Sequence, residues 1–366
     1  MLTNAIYRYL FGKEWISTDV FYKNEPAHKL GGSYWFWLFS STKDDGPKVM
    51  LKITRMGINY KMDNLPVKNK LLKNNSFIGL VSCLCFTDGK AKKLFSEQCE
   101  VNFSEKELIA KTDSGLTVIV NGEIPNYSMS VKKSGKEILT ASSSGSAPNK
   151  AKKIVHSNAF NKYSCFSEDK STYYMFEETV RCPHLVKLLN VFSKFKASFS
   201  GEKFDGIAYA ERNSALGAFA PWRYCIYDFE DGAHFRFFWI PKAPTKNPAN
   251  FECFFDHNNK RYQFTSGKSE YFDVDWNKLG KFSDSVKYIK VNCTNGKESV
   301  EVISEIDSQY TFKYSSIGFD SNYSQIILKL KKLEIIGENL KITNSNLGKS
   351  VGYGEHVTLK SPLKIE

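Results

Sequence analysis

Turn-forming pairs punctuate this chain, and the runs between them read as strands. Asp44-Asp45-Gly46, Asp88-Gly89, Asn121-Gly122, Ser134-Gly135 and Asp231-Gly232 each close a run of alternating or continuous apolar residues. Asx-Gly pairs supply the positive φ that tight hairpin turns require. Residues 47–55, P-K-V-M-L-K-I-T-R, put Val49, Leu51 and Ile53 on one face and Lys48 and Lys52 on the other, the pattern of a half-buried antiparallel strand. Residues 34–39 are apolar on both faces, so that strand is covered on both sides or lines a cavity. Similar short runs continue through residues 77–86, 116–120, 127–132, 251–256 and 326–336. Residues 3–11 and 184–195 also admit a helix, and residues 141–153, rich in serine, read as a mobile loop. Many short strands with few credible helices predict an all-β chain of barrels or sandwiches.

A chain of 366 residues exceeds one average domain, and two are expected. A hydrophobic content of 42% with 14% aromatic residues is enough for sizeable cores. The net charge of +12 rests on 44 lysines against seven arginines. Surfaces that read bases or clamp phosphates favour the planar fork of arginine, so dispersed lysines read as a solvated surface. Nucleic acid is therefore not an expected partner, and transient contact with a membrane surface is the most that the charge suggests. The eight cysteines form no C-x-x-C pair, and Cys83 and Cys85 lie inside an apolar run, where a reduced thiol is a small core hydrophobe. The longest apolar run, residues 77–86, is about half of the ~20 residues a membrane-spanning helix needs. The N-terminal residues lack the apolar core of a signal peptide. A cytoplasmic protein is the expectation.

Two internal echoes suggest duplication. Trp35-x-Trp37-x-Phe39 with its Asp45-Gly46 turn matches Trp222-x-Tyr224-x-Ile226 with Asp231-Gly232. Tyr209-Ala-Glu211-Arg212 matches Tyr353-Gly-Glu355-His356, each placing a tyrosine and an acid two apart on one face of a strand. Two β-barrels joined near residue 200, spanning residues 1–200 and 201–366, fit these echoes.

These segments also resemble a known family. G-G-S-Y-W-F-W-L-F, from residue 31, resembles the aromatic opening strand of the carotenoid hydratase (hydroxyneurosporene synthase) family. G-I-A-Y-A-E-R-N-S-A-L-G, from residue 206, is similar to that family's central G-x-x-Y-x-D-H-N-W-G segment. V-G-Y-G-E-H-V, from residue 351, resembles its closing G-x-G-Y-x-E strand. Tocopherol cyclases and fungal Diels–Alderases share the architecture. The resemblance implies two lipocalin-like antiparallel β-barrels in tandem, with an apolar ligand site in or between them. Ser33 stands where the family often has an acid, Glu211-Arg212 where it has Asp-His, and Gly217 comes two residues late. The family's acid–base pair is thus not reproduced.

The candidate site residues follow from these motifs. Glu211, facing inward with Tyr209, would be a buried acid able to protonate an alkene or carbonyl, its desolvated carboxyl raised toward neutrality. The alternative is a structural ion pair with Arg223 or Arg236. Trp35, Trp37 and Trp222 would form the aromatic walls that suit an apolar ligand or a cationic intermediate, or else pack in a core. Arg212 and Arg223 belong to a cluster of scarce arginines that favours specific pairing or an anionic ligand group. Tyr353, Glu355 and His356 repeat the first constellation. Cys182-Pro-His184 and Cys253 with Asp256-His257 hold metal-capable residues without a second pair at ligand spacing, so no metal site is expected. There is no G-x-S-x-G, P-loop or dinucleotide fingerprint, and no cofactor is expected. The predicted function is binding of an apolar, isoprenoid or lipid-derived molecule with cofactor-independent hydratase, isomerase or cyclase chemistry. Its rivals are a non-catalytic carrier, and lysine-mediated binding to nucleic acid or an anionic surface.

Overall fold

The computed structural model describes residues 31–56, 59–68, 70–71, 76–104, 106–146, 152–157, 160–167, 169, 171–181, 184–216, 221–240, 251–258, 260–274, 286–316 and 319–360. Among them the protein is all-β, with one short 3₁₀ turn at Asn344–Asn346 and no α-helix. The expectations for residues 3–11 and for Cys182 fall outside the described residues.

The first sixteen strands are β1 (Gly31–Ser41), β2 (Lys48–Met56), β3 (Tyr60–Met62), β4 (Leu65–Val67), β5 (Lys70–Leu71), β6 (Ser76–Thr87), β7 (Lys90–Phe103), β8 (Glu107–Lys111), β9 (Leu116–Glu123), β10 (Asn126–Lys133), β11 (Lys136–Ser144), β12 (Lys152–Ser157), β13 (Phe160–Phe166), β14 (Thr172–Arg181), β15 (His184–Phe199) and β16 (Glu202–Leu216). Ten follow the order β11-β10-β9-β8-β7-β6-β2-β1-β16-β15, and pairing of β11 with β15 closes the ring into a barrel. β14, β13 and β12 extend the sheet from the other part of β15.

Alternation decides what fills the barrel. Trp35, Trp37 and Phe39 of β1, Val49, Leu51 and Ile53 of β2, and Ala208 and Ala210 of β16 share one apolar core. β15 contributes Leu189, Val191, Phe195 and Ala197, and this every-second-residue pattern, with pairing on both edges, makes residues 184–199 a strand rather than a helix. The serine-rich stretch from Ala141 continues β11 to Ser144 and carries part of the closing seam. β2 departs from its reading as half-buried. Lys48 and Lys52 do leave the core face, yet both are buried, because the outer face of this part of the sheet is covered as well.

The remaining strands are β17 (Arg223–Phe229), β18 (His234–Trp239), β19 (Phe251–His257), β20 (Lys260–Phe264), β21 (Ser266–Val274), β22 (Val286–Thr294), β23 (Ser299–Ser316), β24 (Phe319–Gly337), β25 (Leu340–Thr343) and β26 (Ser350–Lys360). Nine run β20-β19-β18-β17-β26-β24-β23-β22-β21. Tyr262 and Phe264, near one end of that order, share a core with Val291 and Cys293 near the other, so the sheet wraps round its own interior. Gly352 and Gly354 fix which face of β26 turns inward. A Cβ at Gly352 would lie 2.3 Å from a Tyr227 ring carbon and 2.6 Å from the Leu328 carbonyl oxygen. The glycines admit these bulky neighbours and leave Tyr353 and Glu355 on the opposite face.

Contacts divide the chain into Met1–Cys85 with Lys93–Ala218, and Phe86–Lys92 with Phe219–Glu366. β16 pairs with β1 along its length, from Gly31↔Leu216 to Ser41↔Gly206. The strand that the sequence places at the head of the second domain is therefore the last stave of the first barrel. Cys83, Cys85, Cys99, Cys225, Cys253 and Cys293 are buried free thiols. Burial pushes the Cys225 thiol up to about 12. No helix among the described residues is long and apolar enough to cross a membrane.

Candidate functional site

The outer face of β1, β15 and β16 carries the first cluster. With Trp35 and Trp37 committed to the interior, Tyr34, Phe36 and Leu38 take the other face. Register places Glu211 opposite Phe36 and Asn190, and Tyr209 opposite Leu38 and Phe192. Glu211 is only 4% exposed. Its two carboxyl oxygens meet the hydroxyls of Tyr34 and Tyr209. Asn213 Nδ2 donates to the Tyr34 hydroxyl at 3.0 Å, and the Tyr209 hydroxyl lies 3.2 Å from Asn190 Oδ1. Phe192 stacks on the Tyr209 ring at 4.6 Å and 4°, and Phe36 leans on it at 5.4 Å. The buried Lys52 ammonium sits over the Tyr34 ring, 4.6 Å from its centroid. The result is a carboxyl group with two phenols, two amides and aromatic walls.

Sequence reasoning named Glu211 and Tyr209 of this cluster but not Tyr34, Asn190, Asn213, Lys52, Phe36 or Phe192. Asn213 had a signal, since it continues the two-residue repeat Tyr209-x-Glu211-x-Asn213. Trp35, Trp37 and Arg212 lie on the opposite face. Trp35 packs on Phe77 at 5.5 Å and Phe103 at 5.1 Å, and the Arg212 guanidinium covers the Trp35 ring at 3.9 Å. The tryptophans are thus core residues, with Arg212 closing over one of them, and they do not wall the Glu211 cluster.

The second unit builds a cluster to the same plan. The Tyr353 hydroxyl donates to Glu355 Oε1 at 2.7 Å, the hydroxyl of Tyr323 donates to the same oxygen, and Trp222 Nε1 donates to Oε2 at 2.9 Å. Gln325 Nε2 donates to the Tyr323 hydroxyl at 3.3 Å, as Asn213 does to Tyr34. The Tyr-x-Glu echo is therefore structural, and each repeat gains a tyrosine and an amide from its surroundings. The aromatic echo is not equivalent by face. Trp35 and Trp37 point into their core, whereas Tyr224 and Ile226 lie outside theirs and Cys225 and Tyr227 lie within.

Arg223 and His356 occupy the inner face, away from Glu355. Arg223 Nη1 donates to the Ser269 carbonyl at 2.6 Å and stacks on Tyr271 at 4.3 Å. Arg236 pairs with Glu252 at 2.7 Å and reaches the Tyr224 hydroxyl at 3.1 Å. His356 Nδ1 lies 2.5 Å from the Tyr271 hydroxyl. Burial, and then the charge of Arg223, pulls the imidazole from 6.5 down to about 3. The folded state thus excludes a proton that the unfolded chain binds below about 6.5, so stability is complete above that pH and is lost as pH falls toward 3. The loss is of order 5 kcal/mol. His356→Gln is expected to flatten this acid slope, measured as urea midpoints at neutral and acidic pH, leaving the same-signed part from His234, which burial also depresses. An unchanged slope would reassign it.

Among the described residues no group of three or more His, Cys, Asp or Glu could hold a metal ion. Asp256 is bound to Arg261 Nε at 2.7 Å, and His257 lies 3.2 Å from Asp231.

No protein-family model matches the sequence, and no curated protein does. Solved structures do resemble the chain. A candidate AttH from Nitrosomonas europaea aligns at a TM-score of 0.46 and 12% identity, covering 95% of this chain and 97% of that one. CghA aligns at 0.44 and 8%, covering 92% and 90%. Kievitone hydratase from Nectria haematococca aligns at 0.33 and 7%, covering 92% and 91%.

Proposed function

We propose that the protein binds an apolar, isoprenoid or lipid-derived molecule and acts on it by cofactor-independent acid–base chemistry of the hydratase, isomerase or cyclase type, with Glu211 as proton donor and Tyr209 as its partner. The observation that carries this reading is the arrangement of hydrogen-bonding groups around Glu211. A phenol has one hydrogen to give. The Tyr209 hydroxyl faces both Glu211 Oε2 and Asn190 Oδ1 with one hydrogen to share between them, so a protonated Glu211 is the form that lets both contacts be hydrogen bonds at once. Tyr34 gives its own hydrogen to the other carboxyl oxygen. A buried neutral carboxyl beside aromatic faces is what alkene protonation requires.

In such a step the Glu211 O–H bond breaks, the alkene π bond supplies the electrons of a new C–H bond, and the carbocation lies against the rings of Phe36, Tyr209 and Phe192. Capture by water, loss of a proton or closure by an internal nucleophile completes hydration, isomerisation or cyclisation, and a proton returns to the Glu211 carboxylate.

Native mass spectrometry of protein purified from its own source, followed by solvent extraction, tests the binding half of this reading. An apolar molecule of low mass is expected to co-purify. An empty protein that also turns over no polyene or isoprenoid would overturn it.

A further inference from the structure

We propose that the Glu355 cluster of the second unit is a hydroxyl-recognition site, in which Gln325 Oε1 accepts a hydrogen bond from an alcohol or phenol group of an apolar molecule bound by that unit. The inference rests on the proposed function for the apolar body of that molecule, but not for the hydroxyl. It begins with a hydrogen-bond count. Glu355 accepts from Tyr353, Tyr323 and Trp222. Tyr323, having given its only hydrogen to Glu355, can only accept from Gln325, and this sets the amide with Nε2 toward the phenol at 3.3 Å. Gln325 Oε1 therefore points away from Tyr323. The residue is 0% exposed and this oxygen receives no hydrogen bond. A buried acceptor left without a donor is unfavourable, and a ligand hydroxyl that reaches it recovers that loss.

The surroundings narrow the class of donor. Gln325 and Glu355 are direct cross-strand partners, and Tyr224 is the partner of Glu355 on its other side. The same face carries Ile226, Ile327 and Tyr353, all buried. An alcohol on an apolar skeleton matches this combination. An ammonium would find Glu355 already holding three donors and only one open carbonyl to receive its three hydrogens.

The test is calorimetric titration with geraniol and with geranyl methyl ether, which has the same skeleton without the O–H. The wild-type protein is expected to prefer geraniol by at least about tenfold. Gln325→Met, similar in volume but without the acceptor, is expected to erase the preference while leaving ether affinity in place, and Glu211→Gln is expected to keep it. Tight but equal binding of both probes by the wild-type protein overturns this inference alone, and needs no variant to fold. A preference that survives Gln325→Met but is lost in Glu211→Gln also overturns it, since the first cluster would then read the hydroxyl. Binding of neither probe overturns the apolar-ligand reading together with this one.

Discussion

Replacing Glu211 with glutamine is expected to lower turnover of the protein's substrate by about 10²–10⁴-fold, the usual contribution of a positioned general acid, while binding changes only a few-fold. Glutamine keeps the shape and can still accept from Tyr34, which approaches one carboxyl oxygen. It has no acidic proton to transfer toward a substrate carbon. Single-turnover assays and titration with the molecule recovered by extraction separate the two effects. Undiminished turnover would rule out Glu211 as the donor. A loss confined to affinity would make Glu211 a binding residue instead. Tyr34→Phe provides the graded companion, since it removes one donor to the carboxyl and leaves the ring in place under Lys52.

Trp35→Ala is expected to cost about 3–5 kcal/mol, which for a unit of this size lowers the melting temperature by about 10 °C. Trp35 is fully buried, packs on Phe77 and Phe103, and lies under the Arg212 guanidinium. Truncation opens a cavity and also takes away the ring face that receives a buried cation. Thermal unfolding of Trp35→Ala beside Tyr34→Phe compares adjacent residues on opposite faces of one strand. The first should lose stability and the second mainly site chemistry. A Trp35→Ala protein as stable as the wild type would mean that β1 is turned the other way.

How much of this was legible depends on the range of each signal. Period-2 alternation made the strands visible, and it put Tyr209 with Glu211 and Tyr353 with Glu355 without any knowledge of the fold. It could not say which face of β1 meets the core, because Tyr34-Trp35-Phe36-Trp37-Leu38-Phe39 is apolar either way. Shape settles that choice, with the tryptophans filling the barrel and the smaller rings going outside. Nor could it say that Lys52 is buried, since coverage of the outer face of β2 is set by tertiary packing. Tyr34 and Asn190 reach Glu211 through the β1–β16 and β15–β16 registers. Register between strands far apart in sequence leaves no local trace. Tyr323-x-Gln325 was the most accessible of the missed signals, being a tyrosine and an amide at strand spacing directly before the apolar run at residues 326–328.

The pairing of β1 with β16 also bears on how the first unit is made. β1 leaves the ribosome long before its second neighbour, which runs from Gly206 to Leu216 against it and is the last stave of the ring. The closing seam at Leu139↔Phe199 waits almost as long. Until then β1 is a strand rich in aromatic residues with one bare edge, the kind of surface that recruits other polypeptides. The ring completes through contacts of very high sequence separation, so slow closure is the expected kinetics. A fragment ending at residue 200 would keep β1 and β15 permanently unpaired on those edges, whereas one carried through Leu216 gives both of them their partner.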